Sequence, residues 1–126
     1  MIVDRIDHLV LTVASIEATS EFYARVLGMD VVRFGEGRTA LAFGGQKINL
    51  HEAGDEIVPR ASHPTPGSGD LCLIVDGPLE DAVARLEREG VAVELGPVER
   101  TGATGPIRSV YLRDPDGNLL ELSTPA

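Results

Sequence analysis

Tryptophan is absent from this sequence, and its aromatic side chains are only three Phe and two Tyr. So sparse a set argues against a cleft that stacks a large planar ligand. A single cysteine, Cys72, excludes an internal disulfide and gives no sign of an oxidising compartment. Cations are outnumbered, 11 Lys and Arg against 20 Asp and Glu, for a net charge of −9. A surface that acidic repels phosphate backbones, which makes nucleic acid a poor partner. No apolar run approaches the roughly 20 residues that a membrane-spanning helix needs, so no membrane partner is expected. Nor does a basic, apolar leader open the sequence, and the expectation is a soluble, cytoplasmic protein.

What is present suits a globular chain. Hydrophobic residues make up 43% and charged residues 25% of 126 positions, enough to bury a core in one compact domain. Ile6 to Val13 is rich in β-branched residues and reads as a strand. Ser15 can cap a helix from about Ile16 to Leu27, which Gly28 stops. Val31 to Phe34, Thr39 to Phe43 and Lys47 to Glu52 follow as three antiparallel strands between glycine-bearing turns. The order is βαβββ.

A Pro- and Gly-rich segment, Gly54 to Gly69, then separates this half from a second with the same order. Asp70 to Val75 reads as a strand, and Pro78 suits the first turn of a helix to about Glu89, which Gly90 ends. Val91 to Glu94 is the next expected strand, followed by a flexible loop from Gly96 to Pro106. Strands over about Ile107–Arg113 and Asn118–Ser123 flank a type I turn at Asp114-Pro115-Asp116-Gly117. Shifting the chain by 62 positions lays His8 on Asp70, Val13 on Val75 and Gly28 on Gly90. At the far end a shift of 72 lays Ile48-Asn49-Leu50 on Leu120-Glu121-Leu122, which points to an internal duplication. The expected class is α+β, two tandem βαβββ modules (about 4–53 and 70–124, linker 54–69) forming a cupped mixed sheet around a central cleft.

The segments Ile6 to Val13, Phe22 to Met29, and Asp114-Pro115-Asp116-Gly117-Asn118-Leu119-Leu120-Glu121-Leu122 resemble the vicinal oxygen chelate superfamily. That superfamily includes glyoxalase I, fosfomycin- and bleomycin-resistance proteins and extradiol dioxygenases. Phe43 to His51 and Arg100 to Ala103 are similar to the glyoxalase-domain-containing 5 type within it. The resemblance implies metal ligands on the first and last strands of each module, and the matching positions are His8, Asn49, Asp70 and Glu121.

Strand parity agrees with that implication. His8, Val10 and Thr12 share one face of their strand, and Asn49 and Glu121 each lie between two apolar residues that point the other way. The implied metal set is His8, Asp70 and Glu121, holding an iron, manganese, nickel, cobalt or zinc ion. One His with two carboxylates is oxygen-rich, tilting toward Mn²⁺, Fe²⁺ or another octahedral ion rather than a structural zinc. Asp70 also reads as a residue that hydrogen-bonds the Gly67–Gly69 turn. Asn49 stands where glyoxalase I enzymes usually carry a carboxylate, and an amide cannot abstract a proton. His51 lies about 6.7 Å along the same strand face. It could complete a His8–His51–Glu121 triad or act as acid or base beside a metal set by Asp70.

Lys47, Asn49 and Arg100 are the expected substrate contacts, with Arg108 a further candidate cation beside Arg100. Cys72 shares the parity of Asp70 and reads as a buried, inert thiol. The expected function is that of a metal-dependent enzyme of lyase or ring-cleaving dioxygenase type, with catalytic roles for His51 and Glu121. The ion would chelate neighbouring oxygens of a small-molecule substrate. The alternative is a metal-free binding protein of the bleomycin-resistance kind. Either would form a homodimer, as the resemblance implies.

Overall fold

The computed structural model describes residues 1–126. Two compact units divide the chain, Met1–Gly67 and Ser68–Ala126. Each is a βαβββ module with its own four-stranded mixed sheet.

The first unit runs β1 (His8–Val13), α1 (Ile16–Leu27), β2 (Asp30–Phe34), β3 (Arg38–Phe43) and β4 (Gln46–Glu52), with sheet order β1-β4-β3-β2. β1 and β4 are parallel and the other pairs antiparallel. Ser15 caps α1 by accepting from the Ala18 amide at 3.1 Å, an arrangement worth about 1 kcal/mol. Glu52 Oε1 accepts from the Ile16 amide at 3.1 Å and ties the helix start to the end of β4. Gly28 closes the helix at φ 70°, where its amide and that of Met29 take the Ala24 and Tyr23 carbonyls. Phe22, Tyr23 and Val26 of α1 and Leu11, Val13, Leu41, Ile48 and Leu50 of the strands are buried. Each large aliphatic among them contributes about 1.5–3 kcal/mol. That apolar face leaves the even residues of β1 and odd residues of β4 to point the other way.

The second unit repeats the plan with β5 (Asp70–Ile74), α2 (Leu79–Arg88), β6 (Leu95–Thr101), β7 (Pro106–Arg113) and β8 (Leu119–Pro125), ordered β5-β8-β7-β6. Pro78 occupies the N-cap of α2 without a side-chain cap bond, and Leu79 and Leu86 are its buried residues. Duplication is visible in the register. Asn49 is the β4 partner of Val10, two past His8, and Glu121 is the β8 partner of Cys72, two past Asp70.

The Asp114–Gly117 turn forms with the Gly117 amide on the Asp114 carbonyl at 3.0 Å. The buried Asp114 carboxylate accepts from the amides of Asp116 and Asn118 and from Asn118 Nδ2, at 2.9, 3.0 and 2.8 Å. Asn118 Oδ1 in turn accepts from the Gly69 amide at 2.7 Å, and the Leu119 amide takes the Gly69 carbonyl at 3.0 Å. The turn thus clamps the starts of β5 and β8 side by side. It is Asn118, not Asp70, that hydrogen-bonds the segment before β5.

One expected element is displaced. Val91–Glu94 is not a strand, because the Val91 amide is spent closing α2 on the Leu86 carbonyl at 2.9 Å. Pairing with β7 starts at Leu95–Tyr111 and shifts register before Val98–Ser109. Gly96 sits in that irregularity at φ 112°, where a Cβ would meet the Ser109 carbonyl oxygen at 2.4 Å. The residues that read as a loop breaker are a strand bulge held against its neighbour. Arg100 and Thr101 consequently lie on β6, and the connection to β7 shrinks to residues 102–105.

Candidate functional site

Each unit carries its polar residues on one sheet face. In the first, register places His8 beside Lys47, Val10 beside Asn49 and Thr12 beside His51. Ala40 faces Asn49 and Ala42 faces Lys47 from β3, and Arg38 pairs with Phe34 of β2. The two alanines leave room above the middle strand for long neighbours to reach across. Lys47 Nζ lies 3.9 Å from the centre of the Phe34 ring and the Arg38 guanidinium carbon 4.8 Å from it.

His8 is exposed, and its Nδ1 lies 2.8 Å from Asp7 Oδ2. A carboxylate only accepts, so Nδ1–H is the donor in that bond. The hydrogen bond holds the Asp7 carboxyl below its ordinary value, assisted by the charges of His8, Lys47 and Arg5. Asn49 and His51 are different. They are 4% and 5% exposed, and neither Asn49 Oδ1 nor His51 Nε2 has a hydrogen-bond partner. Burial lowers the His51 pKa, the Arg38 charge lowers it further, and Glu56 pulls the other way. A neutral imidazole is therefore the resting state at neutral pH.

In the second unit Asp70, Cys72, Glu121, Ser123, Ser109, Tyr111 and Arg100 share a face through the β5–β8, β8–β7 and β7–β6 registers. Ser109 Oγ donates to Glu121 Oε2 at 2.5 Å, and Ser123 Oγ lies 2.7 Å from Ser109 Oγ. Ser123 Oγ also lies 3.4 Å from Glu121 Oε2, so its single proton can go to the carboxylate or to Ser109. Cys72 Sγ lies 3.2 Å from Ser123 Oγ, and either atom can be the donor. Partial burial pushes the Cys72 thiol up, the Ser123 hydrogen bond opposes it, and the charge of Glu121 and a hydrogen bond to Glu121 raise it further, so the net direction is upward. Both serine hydroxyls converge on Glu121 Oε2. The expectation of a buried cysteine does not hold: Cys72 is exposed, because β5 is an edge strand of its sheet.

Arg100 Nε donates to the Tyr111 hydroxyl at 2.9 Å, with the guanidinium 5.5 Å from that ring centre. Arg108 turns to the opposite face and bonds Glu80 of α2 at 3.0 Å, so it is no companion for Arg100. His63 is exposed in the segment after β4.

The first unit therefore gathers His8, Lys47, Asn49 and His51 on one face, and the second gathers Asp70, Glu121 and Arg100. No group of three or more His, Cys, Asp or Glu side chains is placed to hold a metal ion. Sequence reasoning missed four residues that shape these faces. Ser109 and Ser123 carried a usable signal, since small hydroxyls alternate with apolar residues on the parity of Glu121. Arg38 and Phe34 were masked by the glycine turn between them, which makes both look like turn-flanking surface residues.

Two βαβββ units, each with imidazole, amide or carboxylate groups on one sheet face, define a paired-module protein of the chelating class that the sequence resembles. Residues 5–122 match the family model of the Glyoxalase/Bleomycin resistance protein/Dioxygenase superfamily, and the chain belongs to that family. It is 58% identical to the virulence protein STM3117 of Salmonella typhimurium over 98% of this chain and 85% of that protein. The crystal structure of STM3117 superposes with a TM-score of 0.99, covering 100% of both chains at 56% identity. Identity is 55% to the glyoxalase domain-containing protein RDO1 of Mycosarcoma maydis, over 94% of this chain and 67% of that one. More distant are the metallothiol transferase FosB of Staphylococcus epidermidis, 29% identical over 94% and 82% of the two chains, and TnmS3, an antibiotic binding protein from Streptomyces sp. CB03234. The crystal structure of TnmS3 matches with a TM-score of 0.78 at 26% identity, covering 100% of this chain and 99% of that one. No helix is long and apolar enough to cross a membrane.

Proposed function

We propose that this chain is a metal-dependent enzyme acting on a small molecule, with His8, Asp70 and Glu121 as the ligands of a divalent ion. The observation that carries the reading is a shared feature of His8 and Glu121. Each has one donor atom held by a neighbour: Asp7 holds His8 Nδ1, and Ser109 holds Glu121 Oε2. Partners of that kind orient ligands toward metals and raise their basicity. The relationship to a metallothiol transferase supports the same reading. One imidazole with two carboxylates suits Mn²⁺ or Fe²⁺ better than a closed zinc site.

When bound, such an ion supplies Lewis-acid stabilisation of negative charge developing on neighbouring substrate oxygens. The chain's own residues divide the remaining work. His51, neutral and buried, is the group able to take or return a proton, which the Asn49 amide cannot do. Arg100, oriented by Tyr111, meets the outer part of the substrate. Assembly as a homodimer belongs to this reading, and Val10, Val31, Ile74 and Leu95 stand exposed on their strands.

Metal content of protein purified without chelators, with titration of Mn²⁺, Fe²⁺, Ni²⁺, Co²⁺ and Zn²⁺ into the stripped protein, tests the assignment. A stoichiometric ion that is lost in both His8→Ala and Glu121→Ala is expected. Wild-type protein that holds no ion and binds none of the five would overturn the enzyme reading.

A further inference from the structure

We propose that the polar face of the first unit is a binding subsite for the anionic end of a small hydroxylated organic acid, with Arg38 and Lys47 as its cations. This names a substrate class for the small-molecule site proposed above and rests on that reading, but it needs no metal.

Four observations carry it. The chain has 20 acidic residues against 11 basic ones, so a cation here has carboxylates in plentiful supply. Five of the ten arginines use them: Arg5, Arg25, Arg60, Arg108 and Arg113 each sit in an ion pair. Arg38 and Lys47 do not. They converge on the Phe34 ring, at 4.8 and 3.9 Å, although Asp7 and His51 both feel their charge. Two cations brought to one ring and left without a carboxylate leave an electropositive spot in an acidic molecule, the arrangement that attracts an anion.

The groups beside that spot specify more. Asn49 and His51 lie on the same strand face, and Asn49 Oδ1 and His51 Nε2 are buried with no partner. A buried polar atom left unpaired costs about 1–3 kcal/mol, a cost removed when a ligand supplies the bond. Asn49 Oδ1 can only accept, so the ligand must bring a donor, and a hydroxyl next to the acid group fits. The carboxylates nearest the spot are engaged elsewhere: Asp7, which feels the charge of Lys47, is hydrogen-bonded to His8. Glu56, the carboxylate felt by His51, is itself within 3.9 Å of Arg60. Phe34 adds an apolar floor under the ligand's carbon chain.

The test is NMR titration of the full chain, stripped of metal and kept in chelator, with glycolate, lactate and malate against the matching neutral amides. Saturable shifts at the Asn49 side-chain amide and the His51 ring are expected with the acids and not with the amides. The bound anion should raise the pH at which the His51 ring titrates. Arg38→Gln and Lys47→Gln should each weaken binding about tenfold, or about 1.4 kcal/mol, while Lys47→Arg retains it. Unchanged spectra and melting temperatures verify that the variants fold. Acids and amides that behave alike, or folded Gln variants that bind as wild type does, would overturn the subsite. Because chelator is present throughout, that result is separate from failure of the metal assignment, which is read by metal titration without any acid.

Discussion

Ser109 Oγ lies 2.5 Å from Glu121 Oε2, and the two side chains face each other from neighbouring strands with Ser123 completing the group. Both serines are fully buried, whereas Glu121 is only half-buried. The carboxylate is thus anchored through its Oε2.

That anchoring predicts a split phenotype for Ser109→Ala. The substitution removes one hydrogen bond to a charged group and should lower stability by about 1.5–3 kcal/mol. Loss of orientation should weaken metal binding about 10- to 100-fold. Thermal melting of the stripped protein measures the first effect and metal titration the second. Equal metal affinity in wild type and variant would show that the serine is only a packing group.

Asn118→Ala is expected to be more damaging to the fold than any change at the exposed ligands. It deletes the bond from the Gly69 amide and the donation to the Asp114 carboxylate, both in a buried position. One neutral and one charge-assisted bond together predict a loss of about 2–4 kcal/mol. Urea denaturation checks this, with His8→Ala as the contrasting substitution that leaves stability within about 0.5 kcal/mol.

Gly96→Ala should disturb the second unit from a distance. At φ 112° an L side chain is strained, and the new Cβ would push on the Ser109 carbonyl oxygen from 2.4 Å. The expected cost is about 1–3 kcal/mol. Because Ser109 also holds Glu121, the same variant should show altered metal affinity, measurable in one titration.

The pH dependence follows from His51. Its folded pKa lies below the ordinary 6.5, mainly because burial disfavours the charged ring. The unfolded chain therefore binds more protons in the interval below 6.5. The stability that His51 contributes is present above that value and is lost as pH falls through the depressed folded value. Melting temperatures from pH 8 down to pH 5 should fall more steeply for wild type than for His51→Gln. Parallel curves would refute the assignment of this residue as a buried neutral base.

Much of the fold was legible because its signals are local. Ser15 and Gly28 bracket α1 through a cap and a left-handed stop, both of which depend only on adjacent residues. Period-two alternation placed His8, Asn49 and Glu121 on the faces opposite their apolar neighbours. β6 was misplaced because Gly96-Pro97 carries the composition of a loop, and the tertiary approach of Ser109 is what makes a glycine necessary in a strand there.

The sequence by itself determined the duplicated βαβββ order and the face on which each polar residue stands. The tertiary structure alone decided the partners: Asp7 for His8, Ser109 for Glu121, Phe34 under Arg38 and Lys47, and nothing for Asn49 Oδ1 and His51 Nε2. The reason is physical. Alternation sets the side of a sheet, whereas neighbours across strands depend on register, which turns and bulges set. Whether a polar atom is satisfied depends on what lies above it after the chain has folded.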